Sequence, residues 1–191
     1  MARPRQFNET QALKKAMDVF WLRGYSSAGM QELCDAMGIN PGSLYAAFGS
    51  KQDLFLRAMR HYLEMVSREG IGEVDASVSG REGIRRYFNY VINGIMTGNR
   101  RFGCFGTNSF IEVGEHDTIL KQMMTDHFRL LENAFQRALL RDGVASAASQ
   151  ARYLVCLAQG LNVLARTAPS QNTLNDIVAT ALASIGQSAV A

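Results

Sequence analysis

Residues 38 to 51 read GINPGSLYAAFGSK, and their types and spacing suit the edge of a nucleic-acid duplex. A helix over 41–48 turns Leu44 and Phe48 inward and leaves Asn40, Pro41, Gly42, Ser43, Tyr45 and Ala46 outward. Asn40 or Ser43 can bond base edges in a major groove, Gly42 and Ala46 can lie against thymine methyls, and the Tyr45 hydroxyl can reach a phosphate. Lys51 stands where the next helix begins, a place that already favours anions. Arg3 and Arg5 form a short basic tail able to follow the backbone or the minor groove. Ser27 and Gln31, at the start and on the outer face of the preceding helix, complete the candidate contact set.

A second constellation lies further on. Cys104, Asn108 and Glu112 recur at i, i+4 and i+8 and share one face of the helix opened by RRFGCFGTNSFIEVGEHD. A thiol at a helix N-terminus with Arg100 and Arg101 close by has its thiolate favoured, and oxidation or alkylation there would add bulk and polarity inside a packed domain. The other reading is that Cys104 is a small buried apolar residue while Asn108 and Glu112 bond neighbouring helix ends. Both stay open on sequence alone.

The elements that position these residues are helical throughout. Asn8 is expected to cap the first helix, with Gln11 as its partner, and Leu13, Ala16, Met17, Phe20 and Trp21 form one apolar stripe ended by Gly24. A helix over about 29–37 turns Met30, Leu33, Cys34 and Met37 inward. Gly38 stops it, Ile39 plugs the turn, and Asn40 caps the groove helix with Pro41 at its first position. Ser50 and Asp53 make the box that opens the fourth helix. Residues 69–83 (EGIGEVDASVSGREG) carry four glycines and few large side chains, and are expected to be a linker. Helices follow from Ile84, over about 104–113, 117–141 and 146–168, and near 171–186. The fold class is therefore all-α: a helix-turn-helix domain at 1–60 and a helical bundle at 61–191.

Composition is that of a soluble globular protein rather than a membrane or disulfide-stapled one. The chain is 47% hydrophobic and 19% charged over 191 residues, with no run long and apolar enough for a membrane span and no apolar block after the basic N-terminus. Three cysteines form no CxxC pair, which argues against disulfides and zinc and points to a reducing cytoplasm. Residues 1–60 hold eight Lys/Arg against five Asp/Glu, whereas 61–191 hold twelve of each. All the excess positive charge thus sits with the groove helix. Scattered histidines (His61, His116, His127) suggest no metal site, His116 and Asp117 read as a helix cap, and no cofactor is expected. Cys34 and Cys156 lie on apolar stripes and are expected in the core.

Residues 8–60 resemble the DNA-binding domain of the TetR family of bacterial transcriptional regulators. The carriers are FxxxGY at Phe20–Tyr25 and G-[IV]-x-x-x-x-[LI]-Y-x-x-F-x-x-K at Gly38–Lys51. The remainder is similar in length and layout. The resemblance implies a two-domain homodimer, usually a repressor, that a small molecule releases from an operator in double-stranded DNA. It also implies phosphate contacts at Tyr45 and Lys51. The run from Cys104 resembles a subgroup with a GCF or GCL motif, some of whose members respond to electrophiles or oxidants. One departure is Ala28-Gly29 where the family usually has Thr-Ser or Thr-Thr. Losing that capping hydroxyl costs roughly 1 kcal/mol unless Ser27 substitutes.

The effector pocket is expected at Tyr87, Phe88, Val91, Cys104, Phe105 and Asn108. The dimer interface is expected on the two long helices, at Phe128, Leu131, Phe135 and Leu139 with Tyr153, Leu157, Gly160 and Leu161 and the small Ala158. Two other classes compete with a regulator. One is a helical ligand-binding protein that no longer binds DNA, and the other is an enzyme with Cys104 as nucleophile.

Overall fold

The computed structural model describes residues 7 to 186, so Arg3 and Arg5, expected to contact DNA, lie outside the described residues. Among these the chain forms nine α-helices, a single 3-10 turn and no strand: α1 Glu9–Arg23, α2 Met30–Met37, α3 Pro41–Phe48, α4 Lys51–Asp75, α5 Gly80–Met96, α6 Phe105–Val113, α7 Thr118–Arg141, α8 Ala147–Leu164, the turn Ala165–Thr167, and α9 Gln171–Ser184.

Local chemistry sets most of the ends. Asn8, Asn40, Ser79, Asp117 and Ser170 each accept a backbone N–H as N-caps, and Ser50 and Asp53 close a full capping box. α2 and α8 lack a side-chain cap; in α2 the N-cap is Gly29, no side chain satisfies the first turn, and Ser27 lies exposed in the turn before it. Glu32 in that first turn pairs with Arg23 of α1 at 2.9 Å and gives the helix start a compensating negative charge.

Two buried clusters hold the molecule. One gathers α1–α4 around Phe20, Leu33, Leu44, Phe48 and Phe55, and draws in Cys104 and Phe105 of the α6 start with Leu120 and Met124 of α7. The other joins α5, α7, α8 and α9 around Ile84, Phe88, Phe135, Leu154 and Leu174. Phe105 makes edge contacts with Phe55 and Tyr62 at 5.9 and 5.6 Å, so α6 is riveted to the N-terminal helices by an aromatic side chain.

Residues 69–83 are not a linker. α4 runs on to Asp75, and a four-residue turn leads straight into α5. The glycines serve close packing. A Cβ at Gly83 would collide with the Val74 carbonyl, one at Gly80 with the Ala138 carbonyl, and one at Gly70 would stand 2.9 Å from the Tyr87 ring. Asp142, beyond α7, clamps the turn by accepting from the Gly80 and Arg81 N–H groups at 2.8 and 2.7 Å. Those donors hold the Asp142 carboxyl below the usual carboxylate range.

Candidate nucleic-acid interface and sensor site

α3 is built to show one face. Leu44, Ala47 and Phe48 are buried, while Pro41, Gly42, Tyr45 and Ala46 are exposed and Ser43 is half-buried. Tyr45 is 54% exposed although it is aromatic. The Asn40 side-chain oxygen accepts from Ser43 N–H at 2.8 Å, which leaves the Asn40 amide NH2 free to donate outward. Gln31, exposed on α2, donates to Asp35 at 2.8 Å. Lys51 reaches back, its Nζ 3.4 Å from the Ser26 carbonyl and 4.8 Å from the centre of the Tyr25 ring. The ammonium therefore stands at the α1–α2 turn beside the start of α4. Arg57, to which no sequence motif points, bonds the Ala47 carbonyl at 3.2 Å and ties the end of α3 to α4.

The Cys104–Asn108–Glu112 face is a row of fasteners. Cys104 is 4% exposed, and its sulfur accepts from Thr107 N–H at 3.4 Å as the N-cap of α6. Asn108 donates to the Phe102 carbonyl at 2.6 Å and closes the loop before the helix. Glu112 accepts from the N–H groups of Tyr25 and Ser26, both at 2.9 Å, and so grips the α1–α2 turn. Burial works to raise the Glu112 carboxyl, but the Ser26 and Tyr25 donors outweigh it, Lys51 adds to them, and the carboxyl is held below its usual range. Gly24, the glycine of FxxxGY, makes the approach possible. It sits at φ +83°, and a Cβ there would stand 2.7 Å from Glu112 Oε2. Helical spacing alone puts Glu112 on the face of Cys104. Its target, 86 and 87 residues away, carries no signal in the sequence.

The expected pocket walls part company. Tyr87 and Cys104 line an enclosed cavity with Tyr62, Arg100, His127 and Asn162. Phe88 and Val91 are fully buried in the core of the C-terminal helices, Phe105 is the aromatic rivet to α4, and Asn108 is occupied by its loop. His127 shares a 2.9 Å hydrogen bond with Ser67, and burial, with Arg100 nearby, pushes it down to about 4, so it is neutral at neutral pH. Among the described residues no group of three or more His, Cys, Asp or Glu is placed to hold a metal, and no helix is long and apolar enough to cross a membrane.

The expected interface set is also divided. Leu131, Phe135, Leu139, Ala158 and Leu161 are buried in the chain's own core, and Phe128 packs beside it, so these residues face inward rather than toward a partner. Leu157 is half-buried, while Tyr153 and Gly160 face outward. Cys156, expected in the core, is exposed. With Val163 it forms an outer stripe, Tyr153–Cys156–Gly160–Val163, at helical spacing of three and four.

Comparison with known proteins agrees with this architecture. Residues 12–58 match the family model of bacterial regulatory proteins, tetR family. YezE, an HTH-type transcriptional regulator of Bacillus subtilis (strain 168), is 35% identical over 141 residues, covering 74% of this chain and 73% of the relative. The HTH-type transcriptional repressor BdcR of Escherichia coli (strain K12) is 29% identical over 172 residues, 86% of this chain and 82% of BdcR. A cysteine mutant of the regulator CifR, solved with 26-bp double-strand operator DNA, superposes with a TM-score of 0.83 at 31% identity, over 95% of this chain and 98% of that one. These relatives are transcription regulators, not enzymes. With its helix-turn-helix, the nine helices of its described residues and a relative of that identity and coverage, the chain belongs to the TetR family of bacterial transcriptional regulators.

Proposed function

We propose that the chain is a dimeric, effector-responsive repressor that reads a palindromic operator through α3. The observation that carries this reading is the outward face of α3: Asn40, Gly42, Tyr45 and Ala46 lie exposed on a helix whose opposite side is fully packed, with Lys51 and the α4 N-terminus alongside. In the division proposed, residues 1–60 read DNA and 61–191 sense and dimerise. CifR's structure on operator DNA and BdcR's designation as a repressor support the assignment. The outer α8 stripe from Tyr153 to Val163, with the exposed Leu164, supplies the dimer surface. Dimerisation then sets two α3 helices about one DNA turn apart.

Coupling runs through α6. An effector that moves α6 carries Glu112 and with it the α1–α2 turn on which the orientation of α3 depends. A coupling of roughly 1–3 kcal/mol lowers operator affinity about 5- to 150-fold, and DNA weakens effector binding equally. A thiol-based version of the same switch is favoured by one observation, that Cys104 both caps α6 and lines the enclosed cavity. Alkylation of Cys104 that releases DNA in the wild type but not in Cys104→Ser would establish it.

The test is fluorescence anisotropy with duplex from upstream of the chain's own gene, titrated at several salt concentrations against random competitor. Binding that survives competitor and weakens steeply with salt supports an operator reader. No binding at low salt sinks the reading in favour of a ligand-binding protein without a DNA partner.

A further inference from the structure

Arg100 is the unusual residue of the sensor half. It sits in the loop between α5 and α6, is only 9% exposed, and makes no ion pair among the described residues. Its guanidinium lies 5.0 Å from the centre of the Tyr90 ring, and the Tyr90 hydroxyl donates to Glu69 at 2.7 Å, so Glu69 reaches it only through that phenol. A buried guanidinium with no carboxylate in direct contact opposes folding, so its retention calls for a reason. The fold turns it inward by construction. A Cβ at Gly94 would stand 2.8 Å from Arg100 Cδ, and the Arg100 N–H donates to the Gly94 carbonyl at 2.8 Å.

Other polar groups converge on the same place. The Tyr62 hydroxyl and the Asn162 carbonyl oxygen are buried with no partner, and the two residues are 1% and 4% exposed. Both line the enclosed cavity beside Arg100, whose space is about 20 Å³. That holds about one water or the end of a ligand, and no more. Arg100, Tyr62 and Val66 also form part of a larger cleft of about 370 Å³, walled on the other side by Met17 and Trp21 of α1. The size suits a small organic molecule.

We propose that this cleft binds a small monocarboxylate, whose anionic end is received by Arg100 and the Tyr62 hydroxyl while its body lies against α1. One guanidinium balances one charge, and its planar fork matches a carboxylate. The 20 Å³ recess excludes a bulkier tetrahedral anion, and of the other charges on the cleft wall Lys14 is offset by its neighbour Asp18 while Glu69 repels a second negative charge. Because Met17 and Trp21 belong to the reader's first helix, the bound molecule touches the DNA-binding half directly. The assignment rests on the effector-responsive reading above and names the class of effector.

The chain's single tryptophan, Trp21, lies in the cleft wall and reports on it. Benzoate, phenylacetate and hexanoate are titrated against intrinsic fluorescence, each beside its neutral amide, with the wild type and Arg100→Gln. The expected result is a saturable change for at least one acid, about tenfold or more tighter than its amide, and lost in Arg100→Gln. Circular dichroism melting confirms that the variant is folded, and if it is not, the acid–amide ratio in the wild type still decides. Equal binding of acid and amide, no response to any acid at 10 mM (roughly the weakest useful affinity), or unchanged acid binding by Arg100→Gln overturns the proposal. DNA anisotropy run in parallel separates the two readings. Operator binding without any carboxylate response overturns the effector class alone, whereas carboxylate binding that leaves operator affinity unchanged upholds the site and counts against the coupling.

Discussion

The two halves of the molecule treat their polar groups in opposite ways. In the reader many serve a local purpose within a few residues: Asn8 and Asn40 cap their own helices, Ser50 and Asp53 cap each other, and Gln31 holds Asp35. In the C-terminal half, the Tyr62 hydroxyl and the Asn162 carbonyl oxygen are buried without a partner, and Arg100 is buried against Tyr90 without a direct ion pair. The reader thus presents its chemistry on an exposed face, although Trp21 Nε1 is buried there without a partner and α6 holds its α1–α2 turn. The sensor carries polar groups in its interior that folding alone does not satisfy, as expected of a cavity whose partner arrives from outside.

The contrast can be broken most severely at the glycines that let α5 pack. Gly80→Val drives a side chain into the Ala138 carbonyl and should cost about 3 kcal/mol or more, read as a lowered urea midpoint. A loss below about 0.5 kcal/mol would show that the sensor core yields as easily as a surface. Acid should act next. His127 is held neutral in the fold down to about 4 but protonates near 6.5 when unfolded, so the unfolded chain binds the extra proton between those values. Stability should fall as pH drops from 6.5 toward 4, by up to about 3 kcal/mol, and His127→Gln should flatten that part of the profile. An identical profile in the variant would remove His127 as the cause.

Glu112→Ala sharpens the comparison at its junction. Losing two hydrogen bonds to a largely solvated carboxylate should cost about 1 kcal/mol of stability. A larger effect is expected on effector response, because the α1–α2 turn is then free of α6. Full retention of effector response would mean that coupling takes another route. The smallest changes in stability belong to the reader's surface. Tyr45→Ala and Lys51→Ala should leave the fold intact and weaken binding to all sequences, and Lys51→Ala should also reduce the slope of log affinity against log salt by about 0.9 for the phosphate that is no longer neutralised. Unchanged affinity in Tyr45→Ala, or an unchanged slope in Lys51→Ala, would count against phosphate binding at that position.

The reader was legible because its instructions are local. Caps, stops and the apolar spacing of Leu33, Leu44 and Phe48 all lie within a few residues of what they determine. The sensor misled where one residue type serves two purposes. The glycines of 69–83 read as breakers, yet Gly70, Gly80 and Gly83 are points of close approach, which no local pattern distinguishes from flexibility. α8 misled differently, being apolar nearly all round. It has an inner stripe of Leu154, Ala158, Leu161 and Ala165 and an outer one through Tyr153 and Cys156, and periodicity finds both without saying which faces the chain's own core. Glu112 could be placed only as far as bonding some neighbouring helix end, since the α1–α2 turn it holds lies distant along the chain, and nothing local marks Arg100 as turned inward.

The seat of Glu112 against Gly24 bears on how such regulators can be recombined. A DNA-reading module transplanted onto a foreign sensor brings the glycine but leaves the carboxylate behind. Hybrids should transmit their signal only when the acceptor sensor offers an acidic residue at the same place on its sixth helix, so that modularity here is a matter of matching one docking pair across the graft.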